Sequence, residues 1–344
     1  MPDARKIVES YQGKPLRIME VCGTHTHEIF RLGIRKILPE NIRLISGPGC
    51  PVCVTPAGFI DKAVFLAEKK NAAICTFGDL VRVPGTETSL AGVRSGGAEI
   101  RAVYSPLDAV EYAERNPEKQ VVFLSVGFET TVPGACLAVK KARKKGIRNF
   151  SILTANKTMP MAYLALEGSA DAFLFPGHVS VITGTSLYET LRNRGISGVV
   201  AGFKADEILS ALAVIVQESS KGEPFFRNCY QSVVKPEGNP LAMKLIEEIM
   251  EPCDSEWRGL GTIPESGLKL RPEFSEFDAE LRFSVPPMTG RGNPACRCGD
   301  ILRGDCTPGD CPLFGKICNP MHPAGACMVS GEGTCSAYYQ YGEL

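Results

Sequence analysis

Eight short, β-rich apolar runs, separated by stretches of helical periodicity, are the feature that most restricts how this chain can fold. They lie at 16–22, 42–46, 72–77, 99–104, 120–126, 150–154, 172–175 and 198–202. Amphipathic segments such as 56–70 (PAGFIDKAVFLAEKK) and 133–145 (PGACLAVKKARKK) fill the gaps between them. Strand, helix and strand at such spacings read as βαβ units with parallel sheets, covered by helices on both faces. The spacing divides into two sets of four. We therefore expect two similar small doubly wound α/β domains over 1–117 and 118–222, meeting near 107–120. From 222 onward Pro and Gly become frequent and one good helix remains, at 240–250, so 223–344 is expected to form a third, cysteine-rich domain.

Charge excludes several function classes. Lys+Arg and Asp+Glu both number 38 among 344 residues, so no overall field draws the chain to nucleic acid or an anionic membrane. No apolar run approaches the roughly 18 residues of a membrane span, and MPDARKIVESYQ lacks the apolar centre of a signal peptide. A cytoplasmic location is the expectation. Against that background, 14 cysteines are too many for a routine chain. In a reducing compartment such a count points to metal binding or redox chemistry rather than structural disulfides. Seven of them crowd between Cys296 and Cys335, in a segment with too little apolar material to hold itself together without a staple.

Two turns carry the chemistry of the first half. CGTHTHE, Cys22 to Glu28, follows the first strand, and ligands of open α/β sheets bind where strands end. Thr24 or Thr26 is placed to cap the helix that follows, and the positive end of that helix would favour the Cys22 thiolate. His25 and His27 are half of the four histidines in the chain. The bland reading is a small buried cysteine with histidines satisfying local hydrogen bonds. GPGCPVC, with Cys50 and Cys53, follows the second strand, and a C-x-x-C pair beside a βαβ element is the signature of a redox dithiol. Thr55 and Pro56 read as the N-cap and first residue of the next helix. Half of a zinc site is the alternative, although no second C-x-x-C completes it.

Further polar loops at strand ends are expected to join these turns around a cleft. They are FGD with Asp79, GFETT with Glu129, TANKTMP with Asn156 and Lys157, and FPGHVS with His178. FGDLVRVPG at 77–85 also echoes VGFETTVPG at 126–134. In the tail, Cys296, Cys298, Cys306, Cys311, Cys318, Cys327 and Cys335 offer enough thiolates for a [4Fe-4S] cluster, with CPLFGKIC supplying two. Chemistry alone selects no particular four of the seven, and zinc is the main rival.

Taken together, CGTHTHE, GPGCPVC, SVGFETTVPG, FPGHVS and CPLFGKIC…GACMVS…GTC resemble the HypD family of [NiFe]-hydrogenase maturation factors over essentially the whole chain. The resemblance implies a [4Fe-4S] cluster on Cys298, Cys311, Cys318 and Cys335, the four cysteines separated by 12, 6 and 16 residues. Cys306 is then incidental, and Cys296 and Cys327 could form an accessory thiol pair. It further implies a scaffold that works with a small partner, HypC. Cys22 would hold iron while a Fe(CN)2CO unit is built with cyanide received from HypE, then passed to the hydrogenase large-subunit precursor. His25, His27 or Glu28 could be a further ligand or take up protons, and Cys50 with Cys53 would store electrons beside the cluster. Whether such a scaffold counts as an enzyme is left open. The competing reading is a free-standing cluster-dependent thiol–disulfide oxidoreductase, and a third is a zinc-stapled interaction protein.

Overall fold

The computed structural model describes residues 4–342. All eight expected strands form: β1 Leu16–Glu20, β2 Ile42–Ser46, β3 Ala73–Thr76, β4 Ile100–Ala102, β5 Val121–Gly127, β6 Phe150–Asn156, β7 Ala172–Pro176 and β8 Gly198–Ala201. A ninth, β9 (Phe226–Asn228), extends the series, and β10 (Met250–Trp257) pairs with β11 (Gly261–Leu270) as an antiparallel hairpin. The first nine strands form two wholly parallel sheets, in the orders β2-β1-β7-β8-β9 and β4-β3-β5-β6. Strands β5, β7 and β8 are buried along their full length, as strands covered on both faces must be.

The α/β class with two parallel sheets and a cysteine-rich end is as expected, but the division of the chain between the sheets is not. A boundary near 107–120 would fall between β4 and β5, which belong to the same sheet. Instead the chain leaves the first sheet after β2, builds the whole of the second, and returns to the first with β7. Parallel neighbours are joined by long crossovers, so strand spacing says nothing about which sheet a strand enters. Within each sheet the order is 2-1-3-4, with a fifth strand added to the first. This is a doubly wound order with a switch point, between β1 and β7 in one sheet and between β3 and β5 in the other. The two echoing loops, 77–85 and 126–134, follow β3 and β5 and so flank one switch point.

Nor is 223–344 a separate body. Strand β9 completes the first sheet, and helix Pro240–Ile249 packs on helix Val132–Lys145 of the second. Strand β11 lies against β6 and helix Met159–Ala165. The cysteine segment shares its apolar core with residues of β1, β2, β7 and β8, including Met19, Ile45, Phe175 and Val200. No helix among the described residues is long and apolar enough to cross a membrane.

Candidate functional site

The switch point of the first sheet fixes the site. Strands β1 and β7 are in register, Glu20 beside Leu174, and the Val21 N–H donates to the Leu174 carbonyl at 3.3 Å. The loops that follow, CGTHTHE and FPGHVS, therefore leave the sheet side by side. On the other flank of β1, the loop after β2 folds back onto Cys22. The Gly23 N–H donates to the Gly49 carbonyl at 2.9 Å. A Cβ on Gly49 would stand 2.2 Å from the Cys22 nitrogen, so only glycine allows the two turns to touch. Cys22 is thus packed against the residue preceding Cys50.

Cys22 is itself the N-cap of helix Gly23–Arg31, so neither Thr24 nor Thr26 caps it. The residue is 7% exposed. Burial pushes its pKa up to about 11, opposed by hydrogen bonding from the backbone of His25 and Thr24 and reinforced by the Glu332 carboxylate. The thiolate expected from the helix dipole is therefore not the resting form: the amides point at the sulfur, but desolvation outweighs them. A buried thiol of this kind releases its proton when a cation replaces it.

The three neighbours expected to assist Cys22 have other partners. His25 is fully buried, its Nε2 lies 2.8 Å from the Gly202 carbonyl, and its ring stacks on Phe203. Burial lowers its pKa to about 4, so it is neutral, with Nδ1 left unpaired. The Nδ1 of His27 lies 3.2 Å from the Gly331 carbonyl, and its ring meets the edge of Tyr341. Both oxygens of Glu28 are held by Arg31, which keeps its carboxyl below the usual range. What approaches Cys22 from elsewhere is Glu332, whose Oε1 accepts from Thr24 Oγ1 at 2.6 Å. Sequence reasoning passed over Glu332, which lies 310 residues from Cys22 in a plain SGEG turn. The same turn reaches the second sheet, where Ser330 Oγ donates to Asp79 Oδ2 at 3.1 Å. His178 stands exposed on this rim, stacked on Phe203.

Cys50 and Cys53 are 3% and 0% exposed. Cys50 caps the short helix Pro51–Val54, its Sγ accepting the Cys53 N–H at 3.3 Å. Thr55 ends that turn and Pro56 caps the next helix, Ala57–Lys69, one residue later than the sequence suggests. Burial and contact with the thiols of Cys327 and Cys50 push the Cys53 pKa well above its ordinary value. Cys53 thus links the first-half turns to the C-terminal sulfurs. There the Cys298 thiol lies 2.9 Å from Cys327 Sγ, and Cys327 also meets Cys335. Cys311 and Cys318 line the same apolar core, Cys318 Sγ accepting the Ala324 N–H at 3.3 Å. Cys296 Sγ lies against Gly325, beside Cys298. Among the described residues, no three His, Cys, Asp or Glu side chains stand as a ready site for a single metal ion.

A further buried polar group lies at the other switch point. Glu129, at the second switch point, accepts the Met159 N–H on Oε1 at 2.8 Å, while Oε2 has no partner. Burial raises its pKa to about 7. Tyr163 and Tyr188 feel the charges of both Glu129 and Cys22, and the Tyr188 hydroxyl bonds to Ser180 Oγ at 2.8 Å.

Residues 3–342 match the family model described as "HypD: Hydrogenase formation hypA family". The chain belongs to the HypD family. It is 44% identical over 338 residues to the hydrogenase maturation factor HypD of Escherichia coli (strain K12), covering 95% of this chain and 90% of that one. With the hydrogenase expression/formation protein HupD of Azotobacter chroococcum mcd 1 it shares 43% identity, over 98% of this chain and 93% of the relative. With HypD of Rhodobacter capsulatus it shares 42%, over 96% and 90%. The residues matched by the family model include the Cys22, Cys50 and C-terminal cysteine segments.

Proposed function

We propose that this chain acts in hydrogenase maturation as the scaffold on which iron receives cyanide and carbon monoxide, with Cys22 as its thiolate ligand. The observation that carries the reading is the contact of two turns at a switch point. Cys22 is packed against Gly49, the residue before the Cys50–Cys53 pair, and the C-terminal turn at 330–332 reaches from Thr24 to Asp79 of the second sheet's loop. Iron that carries diatomic ligands needs a soft thiolate and open positions. A rim cysteine supplies the first, and a thiolate from HypC would fill one of the others. HypE as cyanide donor and the hydrogenase large-subunit precursor as recipient complete the reading.

Cys298, Cys311, Cys318 and Cys335 are the residues that would hold a [4Fe-4S] cluster. All four are thiols at least 92% buried in one apolar core, a donor set suited to iron and sulfide. Such a cluster would supply single electrons. Cys327, between Cys298, Cys335 and Cys53, provides thiol contact from that core to the first-half dithiol. Because Cys50 and Cys53 are sealed from solvent, a diffusible disulfide has no access to them, which argues against a free-standing thiol–disulfide oxidoreductase.

The test is anaerobic co-purification with HypC. The wild-type complex should show cyanide and carbonyl stretching bands in the infrared, and Cys22→Ala should lose them. Retention of the bands in Cys22→Ala would overturn the assignment. Bleaching of brown colour in Cys311→Ser or Cys318→Ser is the corresponding test of the cluster.

A further inference from the structure

The geometry points to His178 as the protein's second ligand to the cargo iron, so that Cys22 and His178 form a thiolate–imidazole pair spanning the β1–β7 switch point. The assignment rests on the reading of Cys22 just given and adds a residue to it.

Backbone placement comes first. Strands β1 and β7 are adjacent and parallel, and the residues beyond them turn outward over the same crevice. Gly177 packs so closely on the end of β8 that a Cβ there would meet the Ala201 carbonyl oxygen at 2.6 Å, which fixes where the next residue sits. The His178 ring then stacks on Phe203 with centroids 4.0 Å apart, and Phe203 stacks on His25 at 4.6 Å. Through these rings the His178 loop is keyed to the first turn of the Cys22 helix. The Glu332 carboxylate is felt electrostatically by both Cys22 and His178, so all three share one mouth.

Chemistry separates the three nearby imidazoles. His25 has Nε2 on the Gly202 carbonyl, and His27 has Nδ1 on the Gly331 carbonyl. His178 is exposed, and neither ring nitrogen has a hydrogen-bond partner among the described residues, yet the stack holds the ring in place. An imidazole oriented by packing with both nitrogens free is suited to bind a first-row metal ion alongside a thiolate. Two protein ligands also leave room for cyanide, carbon monoxide and a partner's donor, which a closed four-ligand site would not.

The experiment uses the full chain purified anaerobically, with Co2+ as the probe. Subtracting the spectrum of Cys22→Ser isolates the Co2+ bound at Cys22 from that bound at the other thiols. In the wild type this difference should contain a thiolate-to-cobalt charge-transfer band and, by pulsed EPR, nitrogen couplings from one imidazole. His178→Ala should keep the charge-transfer band, lose the nitrogen couplings and weaken Co2+ binding at least tenfold, with partial rescue by added imidazole. His178→Gln should behave as His178→Ala without rescue. Unchanged affinity and couplings in both variants would overturn the assignment while leaving Cys22 as ligand. Loss of the couplings in His25→Asn alone would pass the role to His25 Nδ1 and likewise overturn it. If Cys22→Ser leaves the cobalt spectrum unaltered, the Cys22 reading fails and the pair fails with it.

Discussion

The Thr24 hydroxyl donates to Glu332 Oε1 at 2.6 Å, fastening the turn that bears Cys22 to a segment more than 300 residues further along the chain. With Ser330 on Asp79 and Gly331 on His27, three successive residues of the C-terminal segment are pinned across the mouth of the site. The cover is polar, and its Glu332 carries a charge that opposes ionisation of the thiol beneath it.

Removing that charge should therefore activate Cys22. In Glu332→Gln the Thr24 contact can persist while the carboxylate is lost, so the thiol pKa falls and the thiolate fraction at a given alkaline pH rises. Glu332→Ala also uncovers the sulfur. Alkylation of Cys22 by iodoacetamide, followed by peptide mass spectrometry, should be faster in Glu332→Gln than in the wild type and faster still in Glu332→Ala. Equal rates in all three proteins would mean that Glu332 neither covers nor charges the site.

Gly49 tests the contact between the two cysteine turns. An alanine there would place its Cβ 2.2 Å from the Cys22 nitrogen and 2.4 Å from the Val21 carbonyl carbon, and backbone on both sides leaves nothing to swing away. Gly49→Ala should therefore lower stability by about 2–3 kcal/mol, in the range of overpacked interiors, and separate Cys22 from Cys50. Thermal unfolding reads the first effect and loss of Cys22-dependent cobalt binding the second. A variant as stable as the wild type would mean that the turns are not in contact.

Cys50 has a structural task as well as a proposed redox one, and two substitutions separate them. Its sulfur caps the Pro51–Val54 turn. Serine keeps an N-cap acceptor, whereas alanine removes it at a cost of roughly 1 kcal/mol. Cys50→Ser should match the wild type in thermal stability and Cys50→Ala should melt lower. If both fail equally in hydrogenase maturation, the failure follows the lost thiol rather than the lost cap.

Much of this architecture was legible because local chemistry marks local structure. Apolar runs mark the eight strands, and C-x-x-C after a Gly-Pro-Gly turn marks the short turn that carries Cys50 and Cys53, although both sulfurs are buried rather than presented. Sheet membership was not legible, because β2 and β7 carry no mark of belonging together. Hairpin β10–β11 was missed although MEPCDSEW alternates more and less exposed positions, a period-2 signal masked by its proline and charges. At the site, nearness in sequence is all that groups His25, His27 and Glu28 with Cys22. Their side chains were claimed by Gly202, Gly331 and Arg31, and Glu332 reached the site only through the fold.

Glu129 and His25 should give the stability of the chain opposite dependences on pH. Burial raises the Glu129 carboxyl from 4.5 to about 7, so between those values the folded state holds a proton that the unfolded state has released. Stability from this group is complete below about pH 4.5 and is lost as pH rises through 7. His25 is lowered from 6.5 to about 4, so its contribution is complete above 6.5 and is lost as pH falls toward 4. Glu129→Gln replaces the acid with a neutral isostere that can still accept from the Met159 N–H. The variant should therefore gain on the order of 3–4 kcal/mol over the wild type at alkaline pH, since the rise from 4.5 to about 7 spans some two and a half tenfold changes in proton affinity, each worth about 1.4 kcal/mol. Near the ordinary carboxylate pKa it should gain little. The acid side of its profile, set by His25, should be unchanged. Melting temperatures of both proteins, followed from mildly acidic to mildly alkaline pH, measure this directly. A difference between them that does not grow with pH would show that Glu129 is ionised in the folded protein throughout that range.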